Sequence, residues 1–334
     1  MIYIGDCLEI MPTLEAESVD CCVTSPPYYG LRDYGVSGQI GIEKTPEDYV
    51  AKMVAVFREV RRVLRKSGTC WLVLGDTYAT GAGKVGNCPG GGSQEEAFKS
   101  HFGKHSPGSL LGMSGKTQPN RMPLPGFKRK DLIGIPWRVA FALQADGWWL
   151  RQDIIWHKPN CMIESVTDRC TRAHAYIFLL TKSARYFYDA EAIKEPQSKN
   201  ERNRRLREQK QGLKTQYNLK RDAVPNGQHP QGANGAARTV QARHRLAKSG
   251  TRNCRSVWMI NNKPYKKGHF ATFPPEIPER CIKAGCPVGG TIIDPFSGTG
   301  MTGIVAERLE RKHICIELNP AYPVLRKQEG KSET

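Results

Sequence analysis

Along residues 1–80, short apolar runs typical of strands flank a segment whose apolar residues recur at helical spacing. This pattern predicts a compact α/β arrangement. The N-terminal MIYI and the apolar run VDCCVTS (19–25) predict strands. Thr45, followed by Pro46 and two acids, is typical of a helix start. Apolar residues then recur at helical spacing, and we expect Gly68 to end the helix before a buried strand at 69–76.

The pattern becomes regular again beyond residue 131. Residues 133–147 predict an amphipathic helix, and three apolar runs after it predict strands, at 148–158, 173–182 and 185–189. Near the C-terminus, a short helix is expected at 274–285. It precedes a strand, a Gly-rich loop, a helix and a strand, at 291–293, 294–300, 301–311 and 313–316.

Two segments lack either periodicity. Residues 80–130 are rich in glycine and predict a flexible insertion. Residues 196–256 hold 15 Lys or Arg against 3 Asp or Glu, with few apolar side chains. A solvated linker would have this composition, but the concentrated positive charge favours a segment that contacts nucleic acid. The chain is therefore divided into 1–195, the basic segment 196–256, and 257–334, whose two flanking parts form one domain.

Composition narrows the classes of function. The 334 residues carry a net charge of +18, which favours a polyanionic partner such as nucleic acid. No apolar run is long enough for a membrane span and no secretion signal is recognisable, so we expect a cytoplasmic protein. The 11 cysteines include no C-x-x-C pair; we expect reduced, buried thiols and no metal site.

The Gly-rich loop Asp294-Pro295-Phe296-Ser297-Gly298-Thr299-Gly300 separates a strand from a helix. Glycines let a ligand approach the backbone, and an acid at the end of the next strand, Glu317, can accept hydrogen bonds from ribose hydroxyls. Gly298, Gly300 and Gly303 also match G-x-G-x-x-G, so a nicotinamide-dependent oxidoreductase remains an alternative. Such a site needs two mononucleotide-binding halves, and only about thirty residues follow this loop.

A second motif, Ser25-Pro26-Pro27-Tyr28, follows a predicted buried strand. The two prolines cannot donate ladder hydrogen bonds, so the chain leaves the sheet here and exposes Ser25 and nearby carbonyls. A hydroxyl, a carbonyl and the flat ring of Tyr28 could hold an exocyclic amino group and stack on its base. Without a catalytic role for this motif, the alternative is a DNA-binding protein that is not an enzyme.

Together the two motifs resemble those of the amino-directed DNA methyltransferases, and their order resembles the permuted beta class. The resemblance implies a class I, Rossmann-like α/β methyltransferase fold with a mixed central sheet, circularly permuted motifs and two inserted segments. It implies catalytic roles for Ser25, Pro26, Pro27 and Tyr28. It also implies binding of S-adenosyl-L-methionine by Asp6, Cys7, Phe273, Asp294, Phe296, Ser297, Gly298, Gly300, Thr302, Glu317 and Asn319.

The implied substrate is double-stranded DNA from which the target base is flipped. Ser before Pro-Pro-Tyr is more frequent in cytosine-N4 members of the family, so N4 of cytosine is favoured over N6 of adenine. Residues 196–256 become the candidate target-recognition segment. A homodimer and a cognate restriction endonuclease are left open. One departure is Ala175, which follows His174 where relatives usually carry Glu.

Overall fold

The computed structural model describes residues 1–31, 34–79, 126–203, 250–262 and 273–322. The chain divides into two compact units. The first comprises Met1–Asp189 and Ser256–Thr334, and the second comprises Ala190–Arg255. Every residue to which the sequence assigns catalysis or cofactor binding belongs to the first unit.

An eight-stranded mixed sheet forms the centre of the first unit. Its strands are β1 (Ile2–Ile4), β2 (Val19–Thr24), β3 (Leu64–Leu74), β4 (Trp149–His157), β5 (His174–Thr181), β8 (Val257–Met259), β9 (Thr291–Asp294) and β10 (Lys312–Glu317). They lie in the order β1-β10-β9-β2-β3-β5-β4-β8. Seven strands run in one direction, and β5 alone is antiparallel to its neighbours. The predicted α/β fold with a mixed central sheet is confirmed.

Adjacent strands β2 and β9 mark the point where the strand order reverses. From β2 the chain continues to β3 on one side, whereas from β9 it continues to β10 on the other side. Connections that leave in opposite directions open a crevice at the carboxyl ends of the two strands, where open α/β sheets bind ligands. Both predicted motifs begin at this crevice, because Ser25 follows β2 and Pro295 follows β9.

Five α-helices lie entirely within the described part of the chain: α1 (Cys7–Ile10), α2 (Pro46–Val63), α3 (Ile135–Ala145), α4 (Glu276–Gly285) and α5 (Met301–Arg308). Thr45 caps α2 as predicted, its hydroxyl accepting a hydrogen bond from the amide of Asp48 at 3.1 Å. The apolar face of α2 is fully buried and packs with α3 and the sheet. None of the described helices combines the length and the apolar character that crossing a bilayer requires.

Two of the expected elements are wrong. Helix α2 ends at Val63 rather than Gly68, because Leu64 adopts an extended conformation and pairs with Val19 of β2. Strand β3 therefore starts five residues earlier than its apolar run. Residues 185–189 form no strand; two of their amides bond instead to Ser67 and Ala284, at 2.9 and 2.8 Å. Their aromatic spacing reflects packing against the sheet, where Tyr188 stacks on Trp71.

The ends of both predicted insertions are paired. Across the first insertion, the amide of Ala79 donates to Asp131 O and its carbonyl accepts from the amide of Lys130, each at 2.8 Å. In the second unit, β6 (Glu195–Pro196) pairs with β7 (Thr251–Arg252). Residues 80–125 and 204–249, which make up most of the two predicted insertions, lie outside the described residues.

Candidate active site

A cavity of about 750 Å³ opens at the crevice between β2 and β9. Most of its wall comes from the segments that follow five parallel strands, β1, β2, β4, β9 and β10. Twelve of the fifteen predicted site residues line it: Asp6, Cys7, Ser25, Pro26, Pro27, Tyr28, Phe273, Phe296, Ser297, Gly298, Glu317 and Asn319. The remaining three, Asp294, Gly300 and Thr302, lie outside the lining.

The segment Ser25–Tyr28 is held in place from α2. The Tyr49 hydroxyl donates a hydrogen bond to the carbonyl oxygen of Pro27 at 2.9 Å, and Tyr49 itself is fully buried. The carbonyl of Pro26, by contrast, accepts no hydrogen bond from any described residue. It therefore keeps its lone pairs available for the hydrogens of an amino group.

The ring of Tyr28 lies against the backbone of Gly75, which directly follows β3. A β-carbon at Gly75 would lie 2.5 Å from Cε2 of that ring, so only glycine leaves room for it. Burial raises the pKa of the Tyr28 phenol to about 12, against a smaller lowering by hydrogen bonding with Ser25. Tyr28 is therefore a neutral aromatic surface at every physiological pH, which suits stacking on a base.

The Gly-rich loop turns sharply between β9 and α5. Gly298 and Gly300 have φ values of 53° and 81°, a region that side chains with a β-carbon rarely adopt. The loop is tied to the sheet by the amide of Ser297, which donates to Ile316 O at 2.9 Å. The hydroxyls of Ser297 and Thr299 are buried in this loop without a hydrogen-bond partner among the described residues.

The carboxylate of Glu317 sets the position of two backbone amides at the cavity wall. Its oxygens accept from Gly298 N at 2.7 Å and from Asn319 N at 2.8 Å. Burial raises its pKa, although the two amides oppose that effect. Each oxygen retains a lone pair, so Glu317 can still accept hydrogen bonds from a hydroxyl-bearing ligand.

Asp294 connects the two motifs from beneath the cavity. One carboxylate oxygen accepts from the Thr24 hydroxyl at 2.6 Å and from Phe296 N at 3.1 Å, and the other accepts from the Thr302 hydroxyl at 2.6 Å. Burial raises the pKa of Asp294 to about 6. These three bonds make Asp294 and Thr302 supports of the Gly-rich loop.

The segment after β1 contributes the other wall near the loop. Asp6 caps α1 by accepting from Leu8 N at 2.8 Å. Cys7 is 5% exposed, and burial raises its pKa to about 12, so the thiol stays neutral. Phe273 and Phe296 add apolar surface to the same cavity.

Asp76 is a buried acid two residues after the end of β3. Its carboxylate accepts hydrogen bonds from Thr77 N and Ile135 N, each at 2.9 Å, and so caps the start of α3. The other oxygen lies 3.6 Å from the guanidinium of Arg172. Asp76 is thus engaged within the protein and does not line the cavity.

Two residues that hold the site in place have no clear signal in the sequence. Tyr49 looks like one apolar position of an amphipathic helix, and Gly75 like the end of a strand. Lys158 lines the cavity although strand-end lysines are usually solvated. No group of three or more His, Cys, Asp or Glu within the described ranges is arranged to hold a metal ion.

Comparison with known proteins agrees with this geometry. The family model N6_N4_Mtase, described as DNA methylase, matches residues 19–325. The chain is 41% identical to the Type II methyltransferase M.SmaI of Serratia marcescens over 98% of this chain and 89% of that protein. It is 38% identical to M.Cfr9I of Citrobacter freundii over 96% of this chain and 84% of that protein.

Two solved structures share the fold at low sequence identity. The PvuII DNA methyltransferase, titled cytosine-N4-specific, superposes with a TM-score of 0.57 at 18% identity, covering 96% of this chain and 82% of that one. A putative DNA modification methylase of Thermus thermophilus, complexed with S-adenosyl-L-methionine, gives 0.52 at 20% identity, covering 98% and 91%. With a family match over most of its length and Type II methyltransferases as relatives, the chain belongs to the N6/N4 family of DNA methylases.

Proposed function

We propose that this protein transfers a methyl group from S-adenosyl-L-methionine to the exocyclic N4 of a cytosine flipped out of double-stranded DNA. The observation that carries the proposal is the single cavity shared by Ser25–Tyr28 and the Gly-rich loop. A base held by the first motif would lie beside a cofactor held by the second. Such proximity supplies much of the rate acceleration in a two-substrate reaction.

The residues around the loop fit S-adenosylmethionine. When bound, this cofactor supplies a methyl group on a positively charged sulfur. The unpartnered hydroxyls of Ser297 and Thr299 would hydrogen-bond to its polar groups, and Glu317 would accept from its ribose hydroxyls. Phe273 and Phe296 would cover its apolar parts.

The other motif orients the amino group. The unengaged carbonyl of Pro26 and the hydroxyl of Ser25 accept its hydrogens, which turns the nitrogen lone pair away from them. Tyr28, neutral and backed by Gly75, stacks on the base. These groups form no covalent bond to the substrate; they bind and orient it.

Cytosine is favoured as the target base by Ser25 at the head of the motif. The cytosine-N4-specific title of the PvuII methyltransferase, which shares the fold, is in agreement. N6 of adenine is the second candidate, because the family includes both reactions.

The partners follow from the same proposal. Double-stranded DNA is the substrate, and the basic segment 196–256 contacts it. The relatives are named Type II methyltransferases, so we propose a cognate restriction endonuclease that acts on the same sequence. The enzyme acts where cellular DNA is, in the cytoplasm, and homodimerisation is a further proposal.

Nucleoside analysis tests the target base. The protein is incubated with methyl-labelled S-adenosylmethionine and unmethylated genomic DNA, which is then digested and separated by mass spectrometry. We expect labelled N4-methylcytosine. Labelled N6-methyladenine would replace the proposed base, and DNA without any label would contradict the reaction.

A further inference from the structure

Lys158 is a cation in the cavity wall that neither predicted motif uses. It directly follows β4, where its amide donates to Ala173 O at 2.7 Å and its carbonyl accepts from Cys161 N at 3.1 Å. Its Nζ lies 4.2 Å from the centre of the Trp156 ring. That ring is 4% exposed and is fixed by a hydrogen bond from Nε1 to Ile260 O at 2.9 Å. Backbone and ring together hold the ammonium in place.

Within the described residues, the Lys158 ammonium has no recorded hydrogen-bond acceptor and no ion pair. The carboxylate of Asp76 is engaged by Arg172 and two backbone amides. Burial, reinforced by the charge of Arg172, lowers the pKa of Lys158 to about 8. A partly buried ammonium without an acceptor is unfavourable, so an occupant of the cavity that supplies acceptors would be bound by it.

The position of β4 in the sheet indicates which occupant that is. Strand β4 lies three positions from β2, which leads into Ser25, but four from β9 and five from β10, which lead into the Gly-rich loop and Glu317. At about 4.8 Å per strand, Lys158 is on the side of the cavity away from the cofactor residues. Lys158 and Tyr28 both line this cavity.

The bases differ in what they offer a donor at this position. On the Watson–Crick edge, beside the amino group, cytosine carries two hydrogen-bond acceptors, N3 and O2. On the same edge adenine carries one acceptor, N1, and the next atom is the carbon C2. An ammonium only donates. A flipped base is read by hydrogen bonds to this edge.

We propose that Lys158 is a specificity-determining residue that donates to the N3 and O2 side of the flipped cytosine. The inference rests on the proposed function. Lys158 then has two roles. It positions the cytosine ring, whose amino group donates hydrogen bonds to Ser25 and Pro26. It also disfavours adenine, because adenine would leave one N–H donor of the Lys158 ammonium without an acceptor.

The recognition site is first mapped from methylated genomic DNA. Two duplexes are then made that carry either cytosine or adenine at its target position. The test compares methylation of both duplexes by Lys158→Gln and by wild-type protein. Lys52→Gln, an exposed lysine that does not line the cavity, is the matched control. We expect Lys158→Gln to lower kcat/KM for cytosine roughly 10- to 100-fold. The ratio of cytosine to adenine methylation should fall, while the Kd for S-adenosylmethionine and the thermal midpoint stay those of wild type.

The outcomes separate this inference from the proposed function. Equal losses on both bases, unchanged kcat/KM, or weakened S-adenosylmethionine binding would each overturn the role of Lys158 while leaving cytosine methylation by wild type in place. Wild-type protein that makes no methylcytosine would refute the proposed function itself, and with it this inference. Lys158→Arg, which keeps the charge and the donors, should retain more of the cytosine preference than Lys158→Gln.

Discussion

Gly75 and the ring of Tyr28 are in direct contact: a β-carbon at Gly75 would lie 2.5 Å from Cε2 and 2.8 Å from Cδ2 of the ring. The two residues follow neighbouring strands, β3 and β2, at the same edge of the sheet. Gly75 therefore determines where the aromatic face proposed to stack on the base can lie.

Replacing Gly75 by Ala should lower methyl transfer. The new methyl group displaces the Tyr28 ring, and a displacement of about 1 Å in a reacting assembly can lower the rate roughly 100-fold. We expect lower kcat and an unchanged Kd for S-adenosylmethionine, measured by single-turnover kinetics and calorimetry. Gly68→Ala is the control: Gly68 is also crowded, by Leu64 and Arg65, and lies within β3, the strand that Gly75 follows. It should lower stability but leave kcat of the folded protein unchanged; equal kcat losses would contradict the positioning role.

Tyr49→Phe removes the hydrogen bond to the Pro27 carbonyl. Because the phenol is buried, we expect the free energy of unfolding to fall by about 1 kcal/mol and kcat to fall as Ser25–Tyr28 becomes less well held. Tyr186→Phe also removes one side-chain hydrogen bond, to Arg151, but Tyr186 does not line the cavity. The kcat of Tyr186→Phe should equal that of wild type. Wild-type kcat in Tyr49→Phe would exclude a role for this bond in catalysis.

Ser297→Ala should weaken cofactor binding without weakening the fold. Its hydroxyl is buried and has no partner among the described residues, so its removal should change stability by less than about 0.5 kcal/mol. Loss of one hydrogen bond to the ligand should raise the Kd for S-adenosylmethionine roughly tenfold. Thr302→Val provides the contrast, because it removes a bond to Asp294 and should lower stability. An unchanged Kd in Ser297→Ala would contradict the proposed contact.

The raised pKa of Asp294, about 6 against 3.8 for an ordinary aspartate, should make stability depend on pH. The folded protein holds this proton more tightly than the unfolded chain, so the stability that Asp294 contributes is highest near pH 4 and falls as pH rises through about 6. The shift corresponds to roughly 3 kcal/mol. The measurement is urea denaturation of wild type and Asp294→Asn across pH 4–7. The difference between their free energies of unfolding should change by roughly 3 kcal/mol over this range. Parallel pH curves would refute the prediction.

Neutralising part of the basic segment should weaken DNA binding in a salt-dependent way. Arg204, Arg205 and Arg207 lie in 196–256, outside the described residues. If each contacts a phosphate, changing all three to Gln should reduce the slope of log Kobs against log salt by about 3. Three matched changes on the helices α2 and α4, Lys52, Arg58 and Lys283 to Gln, should leave the slope unchanged. The same slope in both variants would exclude the segment from phosphate contact.

Local sequence patterns predicted the elements that position the site, but not the contacts between them. The apolar run before Ser25 and the glycines after Asp294 reflect local chemistry, and both lie where expected. Tyr49 and Gly75 act on residues that are distant in sequence or on another strand, so no spacing reveals them. The helix end at Val63 cannot be read from local spacing, because pairing of Leu64 with β2 overrides local helix propensity.

The measurement that tests the account most directly is single-turnover methyl transfer to DNA by wild type and Ser25→Ala, with S-adenosylmethionine binding determined on the same samples. The account predicts labelled N4-methylcytosine from wild type and a large loss of transfer in Ser25→Ala, with cofactor affinity unchanged. Equal transfer by the two proteins, or unlabelled DNA despite intact cofactor binding by wild type, would contradict it.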